Sequence, residues 1–180
     1  MNIENGKFYF IKDEFFNLFK GYKLMENKEN GNKRPCYFCF KDDEEKNIIW
    51  FVPISSRVEK YKRIYAEKKK RRKNVYNFVF GDVLGKEKVF LIQNIFPTTE
   101  KYIINKYKHN NKDVEIANTL RDEVINQSIN VIQLAKEGIQ IPFYDILEMK
   151  EILLEDNKNR RLVMKEEPKN LSSKYLQRKK

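Results

Sequence analysis

Trp50-Phe51-Val52-Pro53-Ile54-Ser55-Ser56-Arg57-Val58-Glu59-Lys60-Tyr61-Lys62 is the stretch from which the rest of the chain can be read. A short apolar run, rich in β-branched and aromatic residues, reads as a buried strand. It stops just after a proline, and two hydroxyl side chains follow at once, with cationic side chains beyond. Ser55 and Ser56 are therefore expected at the rim of a sheet, facing whatever the basic segment attracts. Hydroxyls and cations together suit phosphate.

The charge pattern points the same way. The 180 residues carry a formal charge of +11. Arg57 to Lys73 holds 10 Lys/Arg against 2 Glu, and Lys158 to Lys180 holds 9 against 2. Those two segments account for +8 and +7, which leaves −4 on everything else. Positive charge gathered on two segments of a mildly acidic body is the footprint of a surface that binds a polyanion, and RNA is the leading expectation. An apolar fraction of 41%, with 13% aromatic residues, is enough for a real core in one domain. No run of about 18 apolar residues appears, and the N-terminus lacks the pattern of a signal peptide, so a cytoplasmic protein with no membrane partner is expected.

Working outward, Lys7 to Ile11 reads as a first strand, and Asp13 as the N-cap of a short helix that carries Phe15, Phe16 and Phe19. Gly21 to Lys33 is polar and loop-like. Arg34 to Phe40 and Ile48 to Ile54 form a hairpin across the charged turn Lys41 to Asn47. Val58, Tyr61, Ile64 and Tyr65 are spaced for a helix over Arg57 to Glu67. Val75 to Phe80 and Lys88 to Phe96 read as strands joined across Gly81 to Gly85. Pro97-Thr98-Thr99-Glu100 looks like a turn with a hydroxyl cap opening a helix through Tyr107, followed by a loop over Lys108 to Asp113. Ile116 to Leu134 carries the longest amphipathic pattern, ending near Gly138, and a shorter helix follows Pro142 through about Leu154. Five short strands with helices set irregularly between them predict an α+β fold: a compact, mostly antiparallel sheet, curled as a small barrel with helices outside. Residues 1–155 make the single expected domain, and 156–180 a basic C-terminal tail, partly helical or mobile.

Four stretches carry a family resemblance. Lys7-Phe8-Tyr9-Phe10-Ile11 is similar to an opening F-Y-x-I strand, and Phe51-Val52-Pro53-Ile54-Ser55-Ser56 to an apolar-Pro-apolar-[ST]-S pattern. Arg34-Pro35-Cys36-Tyr37 and Phe90-Leu91-Ile92-Gln93-Asn94-Ile95-Phe96-Pro97 add to them. In order and spacing the chain from about residue 7 to 150 resembles the ToxN/AbiQ toxins of type III toxin–antitoxin systems, most closely their CptIN branch. The resemblance implies a PemK/Kid-like antiparallel β-barrel with helices packed around it. It implies a metal-independent endoribonuclease without a cofactor, acting on cellular RNA in phage defence by abortive infection. Its partner would be an antitoxin RNA of repeated pseudoknots, which the toxin cuts from a repeat transcript and with which it closes into a cyclic assembly. One position departs from the pattern: the family's lysine two residues after the serine is Val58 here.

Such chemistry needs no protein nucleophile, because the ribose 2′-hydroxyl attacks the neighbouring phosphorus and leaves 2′,3′-cyclic phosphate and 5′-hydroxyl ends. The protein must hold the attack in line and stabilise charge on the phosphate. Ser56 is the expected donor to the phosphate or the leaving oxygen, and Ser55 positions the phosphate. Lys60, four after Ser56, supplies the cation, with Arg57 or Arg34 as replacements. The bland alternative is that the serine pair only caps the following helix. Expected RNA contacts are Lys7, Tyr9, Arg34, Tyr61, Lys62, Arg63, Lys68, Lys69, Lys70, Arg71, Arg72 and Lys73. Tyr61 and Tyr65 could stack on unpaired bases or fill the core. A non-catalytic RNA-binding module would use the same surface. A DNA-binding regulator fits less well, because no helix-turn-helix with a basic recognition helix stands out.

Other chemistry-bearing residues read as structural. Cys36 and Cys39 lack a second ligand pair for zinc and fall within a strand pattern, so they are expected as buried thiols pointing to opposite faces. His109 sits in a polar stretch and is expected as an exposed loop residue. Asp42-Asp43-Glu44-Glu45 has metal-ligand chemistry but lies in a hairpin turn, where solvation is the simpler expectation.

Overall fold

The computed structural model of the chain describes residues 2–22, 24–25, 28–29, 32–33, 37–71, 77–139 and 143–166. Its centre is strand β5 (Ile49–Ser55), whose first five residues are buried. One edge of β5 pairs antiparallel with β4 (Tyr37–Lys41), from Tyr37 opposite Pro53 to Lys41 opposite Ile49. The other edge is shared. Its first half takes β8 (Phe96–Thr98), with Trp50 opposite Pro97, and its last two residues take β7 (Lys86–Leu91), with Ile54 opposite Phe90 and Ser55 opposite Val89. Pro53, which has no N–H to give, lies in the gap between these two partners, where the sheet tolerates it.

From β4 the sheet continues through β1 (Phe8–Ile11) to β9 (Ile103–Lys106), and from β7 to β6 (Phe78–Val83). The seven strands therefore run β6-β7-β5-β4-β1-β9, with β8 alongside β5. Two small ladders stand apart, β2 (Lys28–Glu29) with β3 (Asn32–Lys33) and β10 (Lys108–His109) with β11 (Lys112–Asp113). The helices are α1 (Asp13–Leu18), α2 (Val58–Lys70), α3 (Asn118–Lys136) and α4 (Ile146–Glu166).

The barrel is not closed. Among the described residues, β6 and β9 end the sheet and do not pair with each other. In a flat sheet β6 and β1 would stand four strand spacings apart, about 19 Å at roughly 4.8 Å each. Consecutive residues of α3 nevertheless reach both sides: a Cβ added at Gly81 of β6 would meet Leu120 Cδ2 at 2.3 Å, and one at Gly6, just ahead of β1, would meet Arg121 Cδ at 2.7 Å. The sheet thus bends enough for the first turn of α3 to touch β6 and the residue ahead of β1, but the expected barrel does not form. Gly81→Ala is accordingly expected to destabilise the fold by about 1–3 kcal/mol, since Leu120 must swing aside. Thermal unfolding of Gly81→Ala/Leu120→Ala should recover much of that loss, whereas simple additivity would refute the contact.

Aromatic residues fill the core. Phe38 meets Phe8 and Phe90 edge-on, each at 5.9 Å between ring centroids, on the α3 side of the sheet. On the other side Phe15 of α1 lies 5.2 Å from Phe96 and 5.6 Å from Tyr102, and Phe51 stacks on Phe96. Val124, Val131 and Ile132 of α3 and Ile146, Met149 and Leu153 of α4 complete the same cluster.

Several local expectations change. Asp13 opens α1 without capping it; Lys12 holds the N-cap position. No helix runs from Thr99 to Tyr107: a 3₁₀ turn at Glu100–Tyr102 leads into β9, where Ile103 pairs with Ile11. The β6–β7 connection is tighter than Gly81 to Gly85, because Leu84 and Gly85, with φ of 58° and 73°, make the two-residue turn. Asn110 and Asn111, both at positive φ, do the same between β10 and β11, where a loop was expected. Helix α4 continues past Leu154 to Glu166, and its Asp156 accepts hydrogen bonds from Lys101 Nζ at 2.8 Å and Tyr102 Oη at 3.0 Å. Residues 167–180 of the expected tail lie outside the described residues.

Candidate active site

Strand β5 delivers the serine pair to the edge of the sheet. Ser55 is half-buried and Ser56 exposed. Ser55 Oγ accepts a hydrogen bond from the Arg57 N–H at 3.2 Å, a two-residue turn closed by a hydroxyl. The N-cap of α2 is Arg57, whose own side chain makes no capping hydrogen bond. The helix-cap reading of the pair is therefore not what the structure shows. Ser55 orders the turn, Ser56 is presented to solvent, and the uncapped first turn of α2 starts beside them, an arrangement suited to an anion.

Helix α2 lies over β6 and β7. Val58 is buried, Tyr61 meets Phe78 at 5.2 Å, and Tyr65 meets Phe80 edge-on at 6.0 Å. Tyr61, Tyr65, Phe78 and Phe80 form a second small apolar cluster with Ile64, Val89 and Leu91. Tyr61 and Tyr65 thus serve helix–sheet packing. Lys68 reaches across the same seam, its Nζ 3.4 Å from Gln93 Oε1 and 5.4 Å from the Phe78 ring centroid.

The other cations divide into two sets. Lys62 is neutralised by Glu87 of β7 at 2.8 Å and Glu59 at 3.7 Å, and the hydrogen bond to Glu87 holds its pKa above the ordinary lysine range. Lys60, Arg63, Lys69, Lys70 and Arg71 are exposed. At 100° per residue Arg63 and Lys70 fall on the outer stripe of α2, opposite the half-buried tyrosines, while Lys60 and Arg71 flank it. Arg34, Arg72 and Lys73 lie outside the described residues.

Two expected RNA contacts sit elsewhere. Tyr9 is fully buried: the pleat turns its ring edge-on to Phe51 at 6.3 Å, and its hydroxyl accepts the Glu4 N–H at 3.0 Å. Burial raises the phenol pKa, and no surface of Tyr9 is offered to RNA. Lys7 is half-buried and paired with Glu115. Cys39 is the buried thiol expected, its Sγ donating to the Glu4 carbonyl at 3.2 Å and its pKa pushed up to about 12 by burial; Cys36 lies outside the described residues. His109 is exposed, though on β10. Among the described residues no three His, Cys, Asp or Glu side chains gather as metal ligands.

The acidic turn holds what the sequence reading missed. Asp42 is not solvated. Its carboxylate accepts hydrogen bonds from the Glu45 N–H at 2.7 Å, Trp50 Nε1 at 2.7 Å and Lys150 Nζ at 3.2 Å. The Asp42 and Lys150 side chains are only 7% and 9% exposed. No local signal announces this pair, because Lys150 comes from α4.

No family model and no curated protein matches the sequence. Solved structures do. The structure of AbiQ, a lactococcal anti-phage endoribonuclease of a type III toxin–antitoxin system, aligns over 86% of this chain and 99% of its own, with a TM-score of 0.62 and 16% identity. The chain shares the AbiQ fold. A bacterial type III toxin–antitoxin structure, described for selective toxin inhibition by a non-coding RNA pseudoknot, aligns over the same shares with a TM-score of 0.58 and 19% identity.

Proposed function

We propose that this chain is a metal-independent endoribonuclease toxin of a type III toxin–antitoxin system. The observation that carries the reading is the β5–α2 junction within the AbiQ fold: Ser56 exposed, Ser55 closing the turn, and the first turn of α2 uncapped beside them. RNA lies with its scissile phosphate at this junction and its backbone along the outer stripe of α2. The 2′-hydroxyl attacks the phosphorus, the bond to the 5′-oxygen breaks, and a 2′,3′-cyclic phosphate and a 5′-hydroxyl result. Ser56 donates a hydrogen bond to the phosphate, and Ser55 fixes the turn that aims it. A cation must offset the developing charge; Arg57 adjoins the pair, and Lys60 stands one turn along α2. The toxin acts in the cytoplasm as a phage-defence effector and is held inactive by a repeated pseudoknot RNA in a closed assembly. Arg34 to Tyr37 and Phe90 to Pro97 favour the CptIN branch.

Incubation of the purified chain with a mixed RNA pool in EDTA, with end mapping, tests this. Cyclic-phosphate ends at a preferred sequence are expected. Intact RNA, bound tightly at low salt, would instead make the chain a non-catalytic RNA-binding module. Binding itself should be steeply salt-dependent. Five phosphate contacts from the exposed cations of α2 imply a log–log slope of about −3.5 on single strands, roughly a hundredfold loss between 50 and 200 mM salt. An affinity indifferent to salt would remove α2 from the interface.

A further inference from the structure

The proposed reaction needs a cation beside Ser56, and the sheet offers one from another strand. The hydrogen-bonded register sets Ser55 opposite Val89 and Ile54 opposite Phe90. The bridge of Ser55 to Val89 is the last of this pair; Ser56 follows it at the end of β5 and Lys88 precedes it on β7, so the bend at Ser56 begins next to Lys88. In an antiparallel pair, residues directly opposite have Cβ atoms roughly 5 Å apart and on the same face.

The faces can be told apart by what packs on them. Val89 and Leu91 lie under α2, whereas Phe90 belongs to the main core and meets Phe38 on the α3 side. Alternation along β7 therefore turns Lys88 with Phe90, to the α3 side. Alternation along β5 puts Ser55 with Val89 under α2 and Ile54 on the α3 side, and the chain bends at Ser56, at the edge between the two faces. Gly81, opposite Lys88 on β6, contributes no side chain there, and the nearest neighbour on that face is Leu120. Lys88 is half-buried, while Lys86 and Glu87 beside it are exposed. Lys60 is placed differently: it is on the flank of a helix that covers the opposite face, with its Nζ 5.7 Å from the Tyr61 ring centroid.

We infer that Lys88, not Lys60, is the catalytic cation, binding the non-bridging oxygens of the scissile phosphate next to Ser56. The inference rests on the ribonuclease reading above. It supplies, from a neighbouring strand, the positive charge that the chain lacks where Val58 stands. A lysine acting this way stabilises charge that grows in the transition state, so it works on the chemical step more than on binding.

Single-turnover cleavage of a short RNA with a mapped site, in EDTA, tests it with the full chain and the Lys88→Met, Lys88→Arg, Lys60→Ala and Lys86→Ala variants. Lys88→Met keeps the apolar stem, and its thermal unfolding is compared with wild type to confirm the fold. Its rate at saturating protein is expected to fall about a hundredfold, with RNA affinity changed only a few-fold. Lys88→Arg should recover a large part of that rate, Lys60→Ala should chiefly weaken binding, and Lys86→Ala should match wild type. A folded Lys88→Met that cleaves at the wild-type rate, or a Lys60→Ala whose saturating rate collapses instead, overturns the inference while leaving the ribonuclease reading intact. No cleavage by wild type overturns the reading itself, and the inference with it.

Discussion

Asp42→Ala is expected to lower stability by about 3–5 kcal/mol, the usual cost of removing one partner from a buried ion pair. The carboxylate binds Lys150 Nζ at 3.2 Å, the Trp50 indole N–H at 2.7 Å and the backbone N–H groups of Glu44 and Glu45 at 3.0 and 2.7 Å. Without it the buried ammonium group keeps only the exposed Glu44 carboxylate at 3.9 Å, and the indole loses its acceptor. Asp42→Ala/Lys150→Met should regain much of the loss, because the uncompensated charge goes too; equal instability of the two variants in urea would show that the turn, and not the pair, was at stake. The same group makes a pH prediction. Burial raises the Asp42 pKa, but the hydrogen bonds from Glu45, Trp50 and Lys150, with the lysine's charge, together outweigh burial and hold it below the ordinary 3.8. A carboxyl depressed in the folded state contributes its full stability above the unfolded value, and that contribution disappears as pH falls through the folded value. Wild type should therefore lose stability below about pH 4 more steeply than the double variant does.

Ser56→Ala should slow RNA cleavage by roughly a hundred- to a thousandfold, the range for loss of one preorganised donor to a developing charge. The exposed hydroxyl of Ser56 makes stability a minor issue, so the loss should appear in single-turnover rate with affinity nearly unchanged. Ser55→Ala differs in kind. Its hydroxyl closes the turn on the Arg57 N–H, so removing it loosens the aim of Ser56 and should cost less. Cleavage by Ser56→Ala at the wild-type rate would take the reaction away from the β5–α2 junction.

What could be read from the sequence was local. The apolar run through Trp50 and Phe51 identified a buried strand, and Val58, Tyr61, Ile64 and Tyr65 identified α2 and its inner face. Segments whose fate depends on a distant partner were not readable in that way. Pro97-Thr98-Thr99-Glu100 followed by Tyr102 and Ile103 suits a helix start as well as a strand, and pairing with Trp50 and Ile11 decides for strands. The serine pair was recognisable because its neighbours in sequence prepare it, whereas Lys150 reaches Asp42 only through the packing of α4, and the role inferred for Lys88 depends on the pairing of β7 with β5. Closure of the barrel failed for a similar reason: Gly81 reads as part of a turn until Leu120 is seen against it.

The partner-sharing of β5 also sets an order of events during synthesis. Ser55 and Ser56 emerge from the ribosome together with β4 and α2, but the strand that holds their end, β7, comes later, and β8 later still. A chain interrupted near Lys70 would carry both serines on a strand with one edge bare and with no Lys88 beside them. Such distant pairings form slowly compared with helices. The cleavage proposed at this junction therefore requires β7, and a nascent chain interrupted before it is expected to be inactive.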